Sequence, residues 1–122
     1  SAPEEGGFKI KGKDQGQIDM LLEDARAVEE AGAFACVIEG TVEPVARKIT
    51  HSMNIPTIGI GASPACDGQI LVTEDMLGLT ENPPKFVKQY ASLQNYIDDA
   101  IKAYAKDVRD RRFPDKEHLY NP

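Results

Sequence analysis

Polar and apolar positions fall into a helical rhythm from Asp14 onward. Ile18, Leu21, Leu22, Ala25 and Val28 sit at i, i+3, i+4, i+7 and i+10, which draws one apolar stripe. Asp19, Glu23, Asp24, Arg26, Glu29 and Glu30 cover the other side, and Gly32 supplies the stop. At Ala33 the rhythm breaks. Ala33-Phe-Ala-Cys-Val-Ile38 is an unbroken apolar run, which predicts a strand over 33–39 with both faces buried, ending on the carboxylate of Glu39. A second helix is predicted next, with Thr41 as its N-cap and Pro44 in its first turn, where a missing N–H does little harm. Its buried face carries Val42, Val45, Ala46, Ile49 and Met53. His51 falls off that stripe and is expected on the surface.

Two more strands are expected, over 55–60 and over 69–73, the latter ending at Glu74-Asp75. After Asn82-Pro-Pro84 the spacing of Phe86, Tyr90, Ile97, Ile101, Tyr104 and Val108 is close to a heptad, which predicts a helical segment over about 84–112. Its weakest stretch is 92–95, so two helices with a bend fit as well as one rod. Before all this, residues 1–7 read as a Gly-rich lead-in, and Phe8-Lys-Ile-Lys-Gly12 alternates like a short edge strand. The order of elements implies an α/β fold with parallel strands and right-handed crossovers. Three such strands do not close a sheet. A (β/α)₈ barrel takes about 250 residues, so a chain of 122 amounts to roughly half of one. Its open edges predict association with a partner or a second copy.

Composition narrows the classes. A net charge of -6 argues against nucleic-acid or anionic-membrane surfaces, which need basic patches. No apolar run approaches the roughly 20 residues of a membrane span, and no signal peptide is recognisable. Cys36 and Cys66 are not spaced as a metal pair and read as free thiols in a reducing compartment, which points to the cytoplasm.

Chemistry is expected first at Glu39. A charge at the carboxyl end of an apolar parallel strand is where α/β folds place their active groups, although capping or pairing with a neighbouring loop is a competing role. Gly59-x-Gly61-x-x-Pro64 lacks the third glycine of a dinucleotide fingerprint. Asp67 reads as a loop-ordering residue, and Glu74-Asp75 as a cap for the next segment of chain.

Several of these segments occur together in one enzyme family. They are Gly6-Gly-Phe-Lys-Ile-Lys-Gly12, Val37-Ile-Glu39, Ile55-Pro-Thr-Ile-Gly-Ile-Gly-Ala62 and Cys66-Asp-Gly-Gln-Ile-Leu-Val72, followed by Asp75-Met-Leu-Gly-Leu79, Pro84-Lys-Phe86, Phe113-Pro and Glu117-His118. The chain resembles the carboxyl-terminal half of the ketopantoate hydroxymethyltransferases. Ser63 departs from the pattern, because many members carry glycine there.

The resemblance implies the last three strands or so of a (β/α)₈ barrel of the phosphoenolpyruvate mutase/isocitrate lyase kind, with 1–122 as the carboxyl-terminal portion of one domain. It implies transfer of a hydroxymethyl group from methylene-tetrahydrofolate to α-ketoisovalerate, giving ketopantoate for pantothenate and coenzyme A synthesis; the open edges and the stripe from Phe86 to Val108 make a homo-oligomer the expected state. Glu39 matches the family's active-site glutamate, and Ile60, Ile70 and Val72 match apolar residues that wall the substrate's branched tail. The family's Mg²⁺ ligands belong to the amino-terminal half, so no metal ligand is assigned here and this stretch alone is expected to be inactive. Two other readings stay open: a Mg²⁺-dependent α-oxo-acid lyase or mutase of the phosphoenolpyruvate mutase group, and a non-catalytic half-barrel that associates with a partner.

Overall fold

A computed structural model describes residues 10–122. The lead-in 1–7 and Phe8 and Lys9, the first two of the five residues of the expected edge strand, lie outside the described residues. Its remaining part contributes one parallel bridge, Lys11 to Thr41. The described chain forms two compact units. One holds the residues up to Val72 together with Pro84–Val87, and the other holds Thr73–Pro83 and Lys88–Pro122.

In the first unit, helix α1 runs Gln15–Glu30. It starts where the Asp14 carboxylate accepts the Gln17 N–H at 2.9 Å, and it ends one residue before Ala31-Gly32 turns the chain away. Its stripe of Ile18, Leu21, Leu22 and Ala25 packs onto a core of Ile38, Val45, Ala46, Ile49, Ala62 and Cys66. Strand β1 (Cys36–Glu39), helix α2 (Glu43–Ser52), strand β2 (Thr57–Ile60) and strand β3 (Gly68–Gln69) complete the unit. The sheet is parallel throughout, in the order β1-β2-β3. The expected α/β class is therefore present.

Four local expectations are corrected. The first strand is shorter than 33–39 and is not buried on both faces, since Phe34 is 90% and Val37 61% exposed while Ile38 is 5% exposed. β1 is an edge strand, and the helices α1 and α2 cover only one of its faces. The third strand is only two residues long, and Thr73 already opens a short helix, α3 (Thr73–Met76). Thr41 does not cap α2. Val42 holds the N-cap position without a side-chain bond, and the Thr41 hydroxyl donates back to the Glu39 carbonyl at 3.2 Å. Helix α4 (Leu93–Arg109) starts well after residue 84. Pro83 and Pro84 donate no N–H, and the Tyr90 N–H goes to the Met76 carbonyl at 2.8 Å instead of to a helical partner.

The loop between β2 and β3 is tied down by Asp67. Its carboxylate accepts the Thr57 N–H at 2.8 Å and the Thr57 hydroxyl at 3.3 Å. Thr57 is fully buried, so this acceptor satisfies a donor that water does not reach. The loop-ordering role expected of Asp67 is what the structure shows.

In the second unit, α4 carries Ile97, Ile101, Tyr104 and Val108 along one side, all of them exposed, and none of its residues is buried. Beyond the helix, Tyr104 meets Phe113 edge-on at 5.8 Å and Phe113 stacks obliquely on His118 at 5.2 Å. A capping box on Asp115 starts the last 3₁₀ turn, Lys116–His118. Among the described residues no helix is long and apolar enough to cross a membrane.

Ile49 and His51 test the packing of α2 directly. Ile49 is 4% exposed in the core and His51 lies on the exposed side. Ile49→Ala is expected to lower the unfolding free energy by about 2–5 kcal/mol. His51→Ala is expected to stay within about 0.5 kcal/mol of the parent. Chemical denaturation of the two variants side by side checks this.

Candidate functional site at the carboxyl ends of the strands

Alternation along β1 and β2 sorts their side chains onto two faces. Ile38 and Gly59 pair on the covered face, whereas Val37 pairs with Ile58 and Glu39 with Ile60 on the open one. Glu39 thus stands exposed at the carboxyl end of β1, directly opposite the half-buried Ile60. The Ile70 N–H donates to the Gly59 carbonyl at 3.0 Å, which sets Ile70 one step beyond the Gly59–Gln69 pair and level with Ile60. Ile70 is 55% exposed. Val72 lies past the end of β3 and is 48% exposed. The structure therefore brings Glu39 and Ile60 together as strand partners, with Ile70 beside them and Val72 farther along the chain.

A cleft of about 520 Å³ opens at this end of the sheet. Its floor is Ile60-Gly61-Ala62 after β2, and one wall is Gly40-Thr41-Val42 leading into α2. Pro84, Lys85 and Phe86 form another wall. Gly61 has φ +64, and a Cβ at that position would run into the Phe86 side chain, so glycine is required twice over.

Sequence reasoning missed a polar cluster on the rim. The Ser63 hydroxyl donates to Glu43 Oε2 at 2.7 Å and accepts the Ala65 N–H at 3.0 Å. Gln69 Nε2 donates to the Ser63 carbonyl at 2.7 Å. The other Glu43 oxygen accepts Arg47 Nε at 3.2 Å, one turn along α2. The Ser63 hydrogen bond, helped by Arg47, holds the Glu43 carboxyl below its ordinary range against a smaller opposing desolvation. Burial pushes the Cys36 thiol up, in keeping with an unreactive strand residue. Both cysteines are free. Among the described residues no group of three or more His, Cys, Asp or Glu side chains is arranged to hold a metal ion.

Comparison with known proteins gives this arrangement a context. The family model for ketopantoate hydroxymethyltransferase matches residues 1–116. The chain belongs to the ketopantoate hydroxymethyltransferase family. A 3-methyl-2-oxobutanoate hydroxymethyltransferase of Parvibaculum lavamentivorans is 57% identical over 116 residues, which is 95% of this chain and 42% of the relative. Another, from Rhizobium rhizogenes, is 53% identical over 118 residues, which is 96% of this chain and 43% of the relative. The chain spans less than half the length of these hydroxymethyltransferases.

The depressed carboxyl makes a signed prediction. A group whose folded pKa lies below its unfolded one adds stability above the unfolded value and loses it as pH falls through the folded value. In carbon-detected NMR, Glu43 should titrate below the ordinary glutamate range. Ser63→Ala should move its midpoint upward, and the stability gap between parent and variant should shrink on acidification. A Glu43 midpoint unmoved by Ser63→Ala would contradict the assignment.

Proposed function

We propose that this region is the carboxyl-terminal portion of a (β/α)₈-barrel hydroxymethyltransferase of the phosphoenolpyruvate mutase/isocitrate lyase kind. The enzyme moves a hydroxymethyl group from methylene-tetrahydrofolate to α-ketoisovalerate and yields ketopantoate. The observation that carries the reading is the placement of Glu39: a carboxylate at the carboxyl end of a parallel strand, on the sheet's open face, opposite an apolar side chain. Barrel enzymes work at that end of their strands. The family match and the names of the two relatives supply the chemistry such a carboxylate would serve.

In this reading Glu39 takes the proton from the carbon next to the ketone of α-ketoisovalerate. Water releases the one-carbon unit from the folate nitrogens as formaldehyde and tetrahydrofolate leaves; the enolate carbon attacks that formaldehyde, and the alkoxide formed takes up a proton to become the new hydroxymethyl group. Ile60 and Ile70, with Val72 farther along, wall the branched tail and keep water from the carbanion. Its strand partner Ile60 gives the proton acceptor an apolar neighbour. The resemblance also implies Mg²⁺ on the keto oxygen. Among the described residues no ligand set for such an ion is present.

The same reading takes the whole chain as part of one barrel domain, with α4 as its terminal helix. It makes the protein a cytoplasmic homo-oligomer working on small molecules, with no nucleic-acid or membrane partner. The apolar side of α4 supports an assembly, since exposed stripes of that kind are normally covered.

A hybrid enzyme tests the proposal. This chain replaces the matching stretch of the Parvibaculum lavamentivorans relative, and ketopantoate formation is measured. The hybrid is expected to turn over. Glu39→Gln in it should lower kcat about 10²–10⁴-fold, the usual worth of a positioned base, with an unchanged melting temperature. A folded hybrid without turnover, or a near-normal rate for Glu39→Gln, would overturn the reading.

A further inference from the structure

The cleft at the strand ends has a closed inner rim. On one side the chain runs from Glu39 through Gly40, Thr41 and Val42 to Glu43, and on the other from Ile60 through Gly61 and Ala62 to Ser63. At one end the two runs are joined by the strand pair Glu39–Ile60. At the other they are joined by the 2.7 Å hydrogen bond from Ser63 to Glu43. Gly40 to Glu43 and Ile60 to Ala62 all line the cleft. Its width on this side is thus set by two cross-links, one made of backbone and one of a single side-chain pair.

We propose that Ser63 and Glu43 act as a latch between the loops after β1 and β2, positioning Ile60 and Glu39 for the keto acid. Neither residue touches the reacting atoms; both act through the loops they tie.

Three observations support the latch over an incidental contact. Ser63 is 3% exposed, so its hydroxyl has no ready supply of water to replace a lost acceptor. Its oxygen is also used by the Ala65 N–H, and its carbonyl by Gln69, so the hydroxyl proton has one direction to go. Arg47 holds the other Glu43 oxygen, which fixes the carboxylate on the helix side and leaves Oε2 for the loop. The α2 N-terminus has no side-chain cap of its own. Nothing else among the described side-chain hydrogen bonds joins the 40–43 loop to the 61–63 loop.

The proposal rests on the hydroxymethyltransferase reading for its substrate, and the test separates the two. Amide exchange on the hybrid enzyme reads the latch without any turnover. Ser63→Ala, made in the loop after β2, should speed exchange about tenfold at Val42 and Val45, which belong to the other element. In the kinetic arm, Ser63→Ala and Glu43→Ala should each raise KM for α-ketoisovalerate on the order of tenfold with kcat little changed, the pattern of lost binding and not of lost chemistry. The double variant should be no worse than the worse single one, because the two remove one interaction. Glu43→Gln keeps an acceptor for the hydroxyl and should be milder than Glu43→Ala. Unchanged exchange at Val42 and Val45, unchanged KM in folded variants, or fully additive effects would each overturn the latch. A parent hybrid that lacks turnover fails the functional reading alone, and the exchange result still decides the tie between the loops.

Discussion

The parallel pairing of β1 with β2 under a single covering layer of helices is the constraint on which the site depends. Because side chains alternate, one-sided burial fixes the register: a slip of one residue would drive Glu39 into the core and expose Ile38. The cost of burying an unpaired carboxylate makes that slip prohibitive. Ile38, 5% exposed against Ala25, Val45, Ala46 and Ile49, therefore does more to place Glu39 than any contact Glu39 makes itself. Asp67 extends the same logic to the neighbouring strand end, since its carboxylate fixes the start of β2 through Thr57 and so fixes where Ile60 emerges.

The consequence for function is geometric. The covered face is spent on α1 and α2, and the open face is left with Val37, Ile58, Ile60 and Glu39. An apolar face that ends in one carboxylate is poorly suited to water; in the proposed barrel it would face the interior, with the branched tail of the keto acid against Ile60. The family match supplies the chemistry proposed for this face, and the register of β1 against β2 supplies the position of Glu39 on it.

Much of this is legible in the sequence. Helix α1 is marked by Asp14, its stripe and Gly32, and the strand-end position of Glu39 comes from the apolar run that it closes. The failures have physical reasons. The run 33–38 reports hydrophobicity but not what covers it, so Phe34 and Val37, expected inside, stand exposed at an edge. Thr41 has the chemistry of a cap, yet its hydroxyl reaches the Glu39 carbonyl, and the loop leaves Val42 to begin the helix. The heptad-like spacing from Phe86 onward does not reveal that the Tyr90 N–H is taken by the Met76 carbonyl, and α4 begins only at Leu93. The Ser63–Glu43 bond joins positions far apart in the chain, and only the pairing of β1 with β2 brings them together. Its one sequence signal is Ser63 itself, a hydroxyl in the loop after β2.

The central claim is tested most directly by a crystal structure of the complete hybrid enzyme with ketopantoate bound. The product is expected on the open face, with its hydroxymethyl-bearing carbon facing the Glu39 carboxylate and its methyl groups against Ile60. Product bound away from the carboxyl ends of β1 and β2, with Glu39 turned to solvent, would contradict the claim.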